Sequence, residues 1–325
     1  MISIVTRIHV HLLFCLLAII GGTTWAFQKT GLEDSLPLWS ASMRFLLASL
    51  LIAFFLCITK KIVVSKEVVM ISGLNGLMYF AIPFGSVYWA SVYLPSGLVS
   101  VLAASISVFA LFINRLFKGT PATKGQKIGV AFCLIGMSIV FGNQLLIKGD
   151  LIQLVAMGII LVAMLGSAFV TVYVQSRIKS LPIMTFTSFS MLSGGVFLLV
   201  ISLIIEDGNR GFSGISLISL LYLAIVGSVV GFSLNMYLLK KWHISKATAH
   251  LFISPIIALY VGFVFLNETL HNQVYVGTLC VLVGVILINL KKKVEKQTKE
   301  HLSETSKKTC EINSMSKKED MNVVN

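Results

Sequence analysis

The chain has 325 residues, of which 56% are apolar and only 12% charged, with a mean hydropathy of +0.91. A water-soluble protein carries about a quarter of its residues charged to coat its surface. Half that share, with apolar stretches recurring almost end to end, excludes a soluble globular protein and predicts a polytopic helical membrane protein. The 26 Lys and Arg against 13 Asp and Glu give a formal charge of +13 and a pI near 9.6. Nearly all of these basic residues lie between or after apolar segments, so the excess is read as membrane topology, not as a nucleic-acid surface.

Apolar runs broken by charge, Gly and Pro predict ten spans, near 10–31, 37–58, 67–89, 95–114, 125–143, 152–176, 183–205, 215–239, 246–266 and 273–290. The first run lacks a small-residue cleavage signature and is read as a retained helix. Basic residues alternate along the chain. Arg7, Lys60, Lys61, Lys66, Arg115, Lys118, Lys124, Lys127, Arg177, Lys179, Lys240, Lys241 and Lys246 fall on one side, 13 in all. The odd connections hold Lys29, Lys148 and Arg210 beside Glu33, Asp34, Asp150, Glu206, Asp207 and Glu268. In loops this short the bias sets orientation, which predicts cytoplasmic N and C termini. Residues 291–325 open on Lys291-Lys292-Lys293 and lose hydrophobic periodicity, which predicts a disordered basic cytoplasmic tail.

The two halves echo each other at an offset of about 145–148 residues. Leu36-Pro37-Leu38 opens the second span and Leu181-Pro182-Ile183 the seventh, each proline in a first turn where its missing N–H is not needed. Gly129 and Gly136 in the fifth span match Gly277 and Gly284 in the tenth, each pair on one helical face. The domain reading is a first five-helix repeat over 10–143 and a second over 152–290. An odd number of spans per repeat places the halves in opposite orientations, the inverted arrangement that transporters use around a midplane site.

The residues then resemble a family. Gly22-Thr-Thr-Trp-Ala-Phe-Gln-Lys29, Pro37 and Arg44-Phe-Leu-Leu-Ala-Ser are similar to the start of an EamA domain of the drug/metabolite transporter superfamily. Ser254-Pro-Ile-Ile-Ala-Leu, Leu266-Asn-Glu-Thr-Leu270, Gly277 and Gly284-Val-Ile-Leu resemble its second copy. The first half departs from the second in having Ser107 for Pro255 and Thr120 for Glu268, and Gly21 replaces the usual Trp. The resemblance implies an all-α membrane fold of ten helices as a 5+5 inverted repeat, in a prokaryotic inner membrane, exporting a small solute.

Polar residues fall on single helical faces in repeat-related spans. The first span has Gly21, Thr24 and Gln28 and the sixth Ser167, Thr171 and Gln175; the third has Ser72, Asn75, Tyr79 and Ser86 and the eighth Ser228, Phe232 and Asn235. The fourth has Ser96, Ser100 and Ser107, and the ninth His250 and Ser254. Such faces line a central cavity or, for Ser and Thr, cement helix packing. The candidate substrate-binding set is Trp25, Gln28, Asn75, Tyr79, Thr171, Asn235, His250 and Ser254. His250 is read either as a solute or proton group or as a packed histidine bonded to a carbonyl. Arg44 is expected to snorkel to the outer surface, with a solute-carboxylate contact as the alternative. Trp39, Trp89 and Trp242 read as an interfacial aromatic belt, and Pro83 and Pro255 as hinges.

What is missing also narrows the function. No Asp or Glu falls mid-span, so a buried carboxylate proton carrier is not expected, and no P-loop is present. The five cysteines show no CxxC spacing, and neither a metal site nor a cofactor is predicted. No clustered intramembrane Lys/Arg pair appears, which favours a neutral or zwitterionic metabolite such as an amino acid, or a lipophilic cation. The predicted partners are a small-molecule solute and the lipid bilayer, with a homodimer left open and no nucleic acid. The alternatives are an importer or exchanger of the same fold, an integral-membrane enzyme built on Glu268 and His271, and a non-transporting membrane partner.

Overall fold

The structure is a computed structural model and describes residues 2–118, 124–143, 151–175, 177, 181–241, 250–268 and 272–290. The tail, Trp242 and His271 lie outside these residues, as does the side chain of Gln175. The described chain is helical, in ten rods. They are α1 (Ile2–Gly31), α2 (Pro37–Ile58), a rod of α3 (Lys66–Asn75) and α4 (Ile82–Tyr93), and a rod of α5 (Ser96–Ala104) and α6 (Ile106–Lys118). Then come α7 (Lys124–Asn143), α8 (Leu151–Gln175), α9 (Ile183–Ile205), a rod of α10 (Gly214–Tyr222) and α11 (Gly231–Lys241), α12 (His250–Leu266) and α13 (Asn272–Leu290).

Seven of these rods are long and apolar enough to cross a membrane. The remaining three are α12 and α13, whose apolar windows are the shorter Ile253–Leu266 and Asn272–Gly284, and α7. The α7 helix opens with Lys124, Gln126 and Lys127, so its apolar part begins only at Ile128.

Burial is arranged for lipid, not water. Phe54, Leu151, Val162, Ile204 and Phe265 point outward, while Ser42, Ser49, Ser91, Ser188 and Ser228 are buried. In water so much exposed apolar surface would drive association; in hydrocarbon it is the matched exterior, and inward polar groups find partners inside the bundle. The α2–α9 pair shows how. Ser49 Oγ donates to Ser188 O at 2.9 Å and Ser188 Oγ donates to Ser49 O at 3.1 Å, a reciprocal clasp between two apolar helices.

Two rods carry a π-helical segment: Gly76–Ala81 joins α3 to α4, and Leu223–Val230 joins α10 to α11. Their first residues are 147 apart, within the offset read from the sequence. The first packs on α9, where a Cβ on Gly76 would lie 2.6 Å from Ser190 O and 2.9 Å from Gly194 N. The second packs on α2. Sequence periodicity does not report such a segment, because one residue wider per turn leaves the apolar pattern intact.

The α7–α13 contact rests on glycine. A Cβ on Gly136 would lie 2.4 Å from Gly277 O, and one on Gly277 would lie 2.7 Å from Gly136 O. Gly284 meets Gly129 O at 2.5 Å in the same way. The backbones touch, as small-residue rows permit in membranes.

Candidate functional site

Helix ends on one side of the bundle are held by charged side chains. Glu206, at the end of α9, accepts from the backbone N–H groups of Leu38 at 2.7 Å and Trp39 at 2.9 Å. It thereby satisfies two orphan donors at the start of α2 and meets the positive end of that helix. Glu268, after α12, does the same for α5, accepting from Ser96 N and Ser96 Oγ, each at 2.8 Å. Lys29 Nζ donates to the carbonyls of Ser91, Val92 and Leu94 at the C-terminal end of α4.

Beside these ends lies a narrow, mainly apolar crevice of about 10 Å³, room for roughly one water molecule. Gln28 and Gly31 of α1, Ser40 of α2 and Tyr88 of α4 form one part of its wall, and Phe212, Ser216, Leu220 and Leu223 the other. Gln28 is 2% exposed and its Nε2 donates to Ser91 Oγ at 2.8 Å. Tyr88 is buried, and its hydroxyl accepts from Nη1 of Arg44 at 3.4 Å.

Arg44 corrects an expectation. It is 3% exposed and turns into the bundle instead of snorkelling to the surface. Its Nε donates to Ser228 Oγ at 3.0 Å, on the second π segment, and its guanidinium carbon sits 5.2 Å and 5.3 Å from the Phe45 and Phe84 ring centres. The reason is helical phase. Arg44 lies on the face of α2 that also buries Ala41, Phe45, Ala48 and Ile52, and that face meets α4 and the second π segment. Seven residues after Pro37 it stands about 10 Å into the helix at 1.5 Å per residue, too deep for an inward-phased side chain to reach headgroups.

The predicted candidates separate into groups. Gln28 lines the crevice, and Asn75, 7% exposed, ends α3 at the first π segment. Tyr79 lies within that segment, its ring edge-on to Phe80 at 5.2 Å and Phe232 at 6.5 Å. Asn235, in α11, is half-buried, and its side-chain oxygen is enclosed without a hydrogen-bond partner among the described residues. The other residues are drawn into packing contacts. Thr171 Oγ1 donates to Ser167 O at 2.7 Å within its own helix, and Ser254 Oγ to Ala18 O at 3.5 Å across to α1. Trp25 packs against the apolar cluster that holds Val87, Leu94, Leu98 and Met157. His250 is buried, with its ring edge-on to Phe14 at 6.4 Å.

Pro83 is the second residue of α4, just after the first π segment, whereas α12 runs unbroken through Pro255. The fourth rod instead breaks at Ser105, which has no proline. Sequence reasoning passed over Tyr88. The available signal is that a tyrosine inside an apolar span needs a partner for its hydroxyl, and the inward-phased Arg44 supplies it.

A helical bundle with a lipid-matched exterior, charged helix staples and a buried cation is that of a multi-pass membrane protein. The model of the EamA-like transporter family matches residues 9–142 and 154–290, and the chain belongs to that family. It is 29% identical over 279 residues to the uncharacterized inner membrane transporter YedA of Escherichia coli K12, covering 85% of this chain and 89% of that one. It is 30% identical to an uncharacterized transporter in the trpA 3′ region of Buchnera aphidicola subsp. Schlechtendalia chinensis, over 76% of this chain and 82% of that one. The transporter YoaV of Bacillus subtilis, also uncharacterized, is 26% identical over 83% of this chain and 92% of its own. A solved crystal structure only 10% identical in sequence matches with a TM-score of 0.61 over 87% of this chain and 96% of its own, a likeness of fold. The protein is a multi-pass transporter of the inner membrane.

Proposed function

We propose that the chain is a ten-span permease, a 5+5 inverted repeat over 10–143 and 152–290 with both termini cytoplasmic, that exports a small organic solute by alternating access. The observation that carries this reading is the pairing of repeat-related parts. The proline-initiated α2 and α9 clasp each other through Ser49 and Ser188, and each packs against the π segment of the other half. Inverted repeats of this kind rock against one another around a midplane site. The π segments are the natural places for that movement, since a wider turn leaves backbone groups free to exchange partners.

Within this reading Gln28, Asn75, Tyr79 and Asn235 face the solute path, and the orphaned oxygen of Asn235 is satisfied when a solute donor arrives. Thr171, Ser254 and Trp25 shape the path through packing. His250 contributes any proton coupling, and Pro83 and Pro255 let α4 and α12 bend.

The test is uptake and efflux of labelled amino acids, nucleosides and cationic dyes in proteoliposomes, with and without a pH gradient. The Asn75→Ala/Asn235→Ala double variant is run beside the wild type. Saturable flux that the folded double variant loses is the expected result. Flux untouched by the two substitutions removes those residues from the path, and no flux for any class removes the permease reading for these solutes.

A further inference from the structure

Arg44 carries a full positive charge inside the bundle and meets no carboxylate among the described residues. Its five N–H donors meet two neutral hydroxyls, Ser228 and Tyr88, and two aromatic faces. A charge taken out of water without a counter-ion is unfavourable, and such groups in membranes mark solute paths. Two further observations point the same way. Seven residues after Pro37 stands Arg44, whereas seven after Pro182 stands Phe189, so the cation is not a packing device common to both halves. Glycine at position 227 keeps space beside Nη2, since a Cβ there would lie 3.3 Å from it.

We propose that Arg44 binds the carboxylate of a small organic solute that enters through the crevice and displaces the Tyr88 hydroxyl from Nη1. That hydroxyl is a long 3.4 Å away and belongs to a residue of the crevice wall, so movement of the Tyr88 side chain widens a crevice that now holds about one water. Leu220 and Leu223 offer the apolar body of the solute a surface, while Gln28 and Ser216 offer polar contacts. A single guanidinium with neutral hydroxyls matches one negative charge; a phosphate dianion calls for a second cation. The role of this site in transport rests on the permease reading, whereas binding is measurable without flux.

The experiment uses the purified full chain and follows thermal unfolding with paired probes. The pairs are L-leucine and L-leucinamide, L-phenylalanine and L-phenylalaninamide, and 4-methylpentanoate and 4-methylpentanamide. The expected result is that at least one acid raises the unfolding temperature of the wild type while its amide does not. Arg44→Gln loses that response, and Arg44→Lys binds the acid about tenfold more weakly, because an ammonium offers a point charge in place of a fork. The comparison of acid with amide needs no variant, so a poorly folding Arg44→Gln does not decide the matter. Amides protecting as well as acids, no acid protecting, or a folded Arg44→Gln responding like the wild type each overturns the proposal. Flux of the same probes separates the two readings. Acid binding without flux removes the permease reading and leaves the site; saturable flux of the amides with no acid protecting the protein removes the site and leaves the permease reading.

Discussion

Glu206 is a single residue on which three structural elements depend. Its carboxylate holds two backbone donors of α2 and the hydroxyl of Ser202, 2.6 Å away, and its own carbonyl accepts from Arg210 at 2.6 Å. Glu206→Ala strands the Leu38 and Trp39 N–H groups at a helix start, which lowers stability by about 1–2 kcal/mol. Thermal unfolding in detergent measures this, and Glu206→Gln, which keeps one acceptor oxygen, falls between the variant and the wild type. At this scale the sequence was only partly legible. Glu206 and Glu268 stood out as acids in basic-poor connections, but which helix each would cap depends on which ends meet in space. Arg44 was legible as an intramembrane charge and misplaced in direction, because the choice between lipid and interior is one of helical phase, and α2 is apolar nearly all round. Among the serines, the hydroxyls of Ser72, Ser167 and Ser254 donate to carbonyls of neighbouring helices, the contact that helix packing calls for.

The contacts between helices are of two kinds, and each carries a prediction. The α7–α13 contact is backbone against backbone, so Gly136→Val forces atoms into a gap that an ideal Cβ already overfills at 2.4 Å. Overpacking of this kind costs about 1–3 kcal/mol, read as a lowered unfolding temperature; an unchanged value would mean the two helices are not in contact in the membrane. The α2–α9 contact is a hydrogen-bonded clasp. Ser49→Ala and Ser188→Ala each cost about 0.6 kcal/mol, typical of interhelical bonds in membranes, and a double-mutant cycle shows coupling because the two bonds share both residues. The glycine rows were legible as faces, since a seven-residue spacing returns to one side of a helix. The π segments were not, and neither was the break at Ser105, because each is a backbone event set by packing and leaves hydropathy unaltered.

On the proposed reading the molecule is two halves whose related helices α2 and α9 clasp one another, with a narrow crevice at one end whose wall includes Tyr88, the partner of the buried Arg44. The charge bias of the loops predicts that end to lie outside the cell. In a cysteine-free background Asn209→Cys is therefore labelled by a membrane-impermeant maleimide on intact cells, whereas Lys61→Cys is labelled only after permeabilisation; both positions are exposed. The opposite labelling pattern overturns the topology and reverses the direction in which the crevice opens. The helical membrane fold was legible because recurring apolar runs are long-range statistics that survive local error. The location of the site was less so, because it depends on which polar faces share a cavity. The measurement that bears most directly on the central claim is solute counterflow. Proteoliposomes preloaded with unlabelled amino acids or monocarboxylates are diluted into the same labelled solute. A permease of alternating access gives a transient overshoot of label above equilibrium for at least one carboxylate solute, and Arg44→Gln abolishes it. Label that rises only monotonically to equilibrium, or an overshoot that Arg44→Gln leaves intact, contradicts the account.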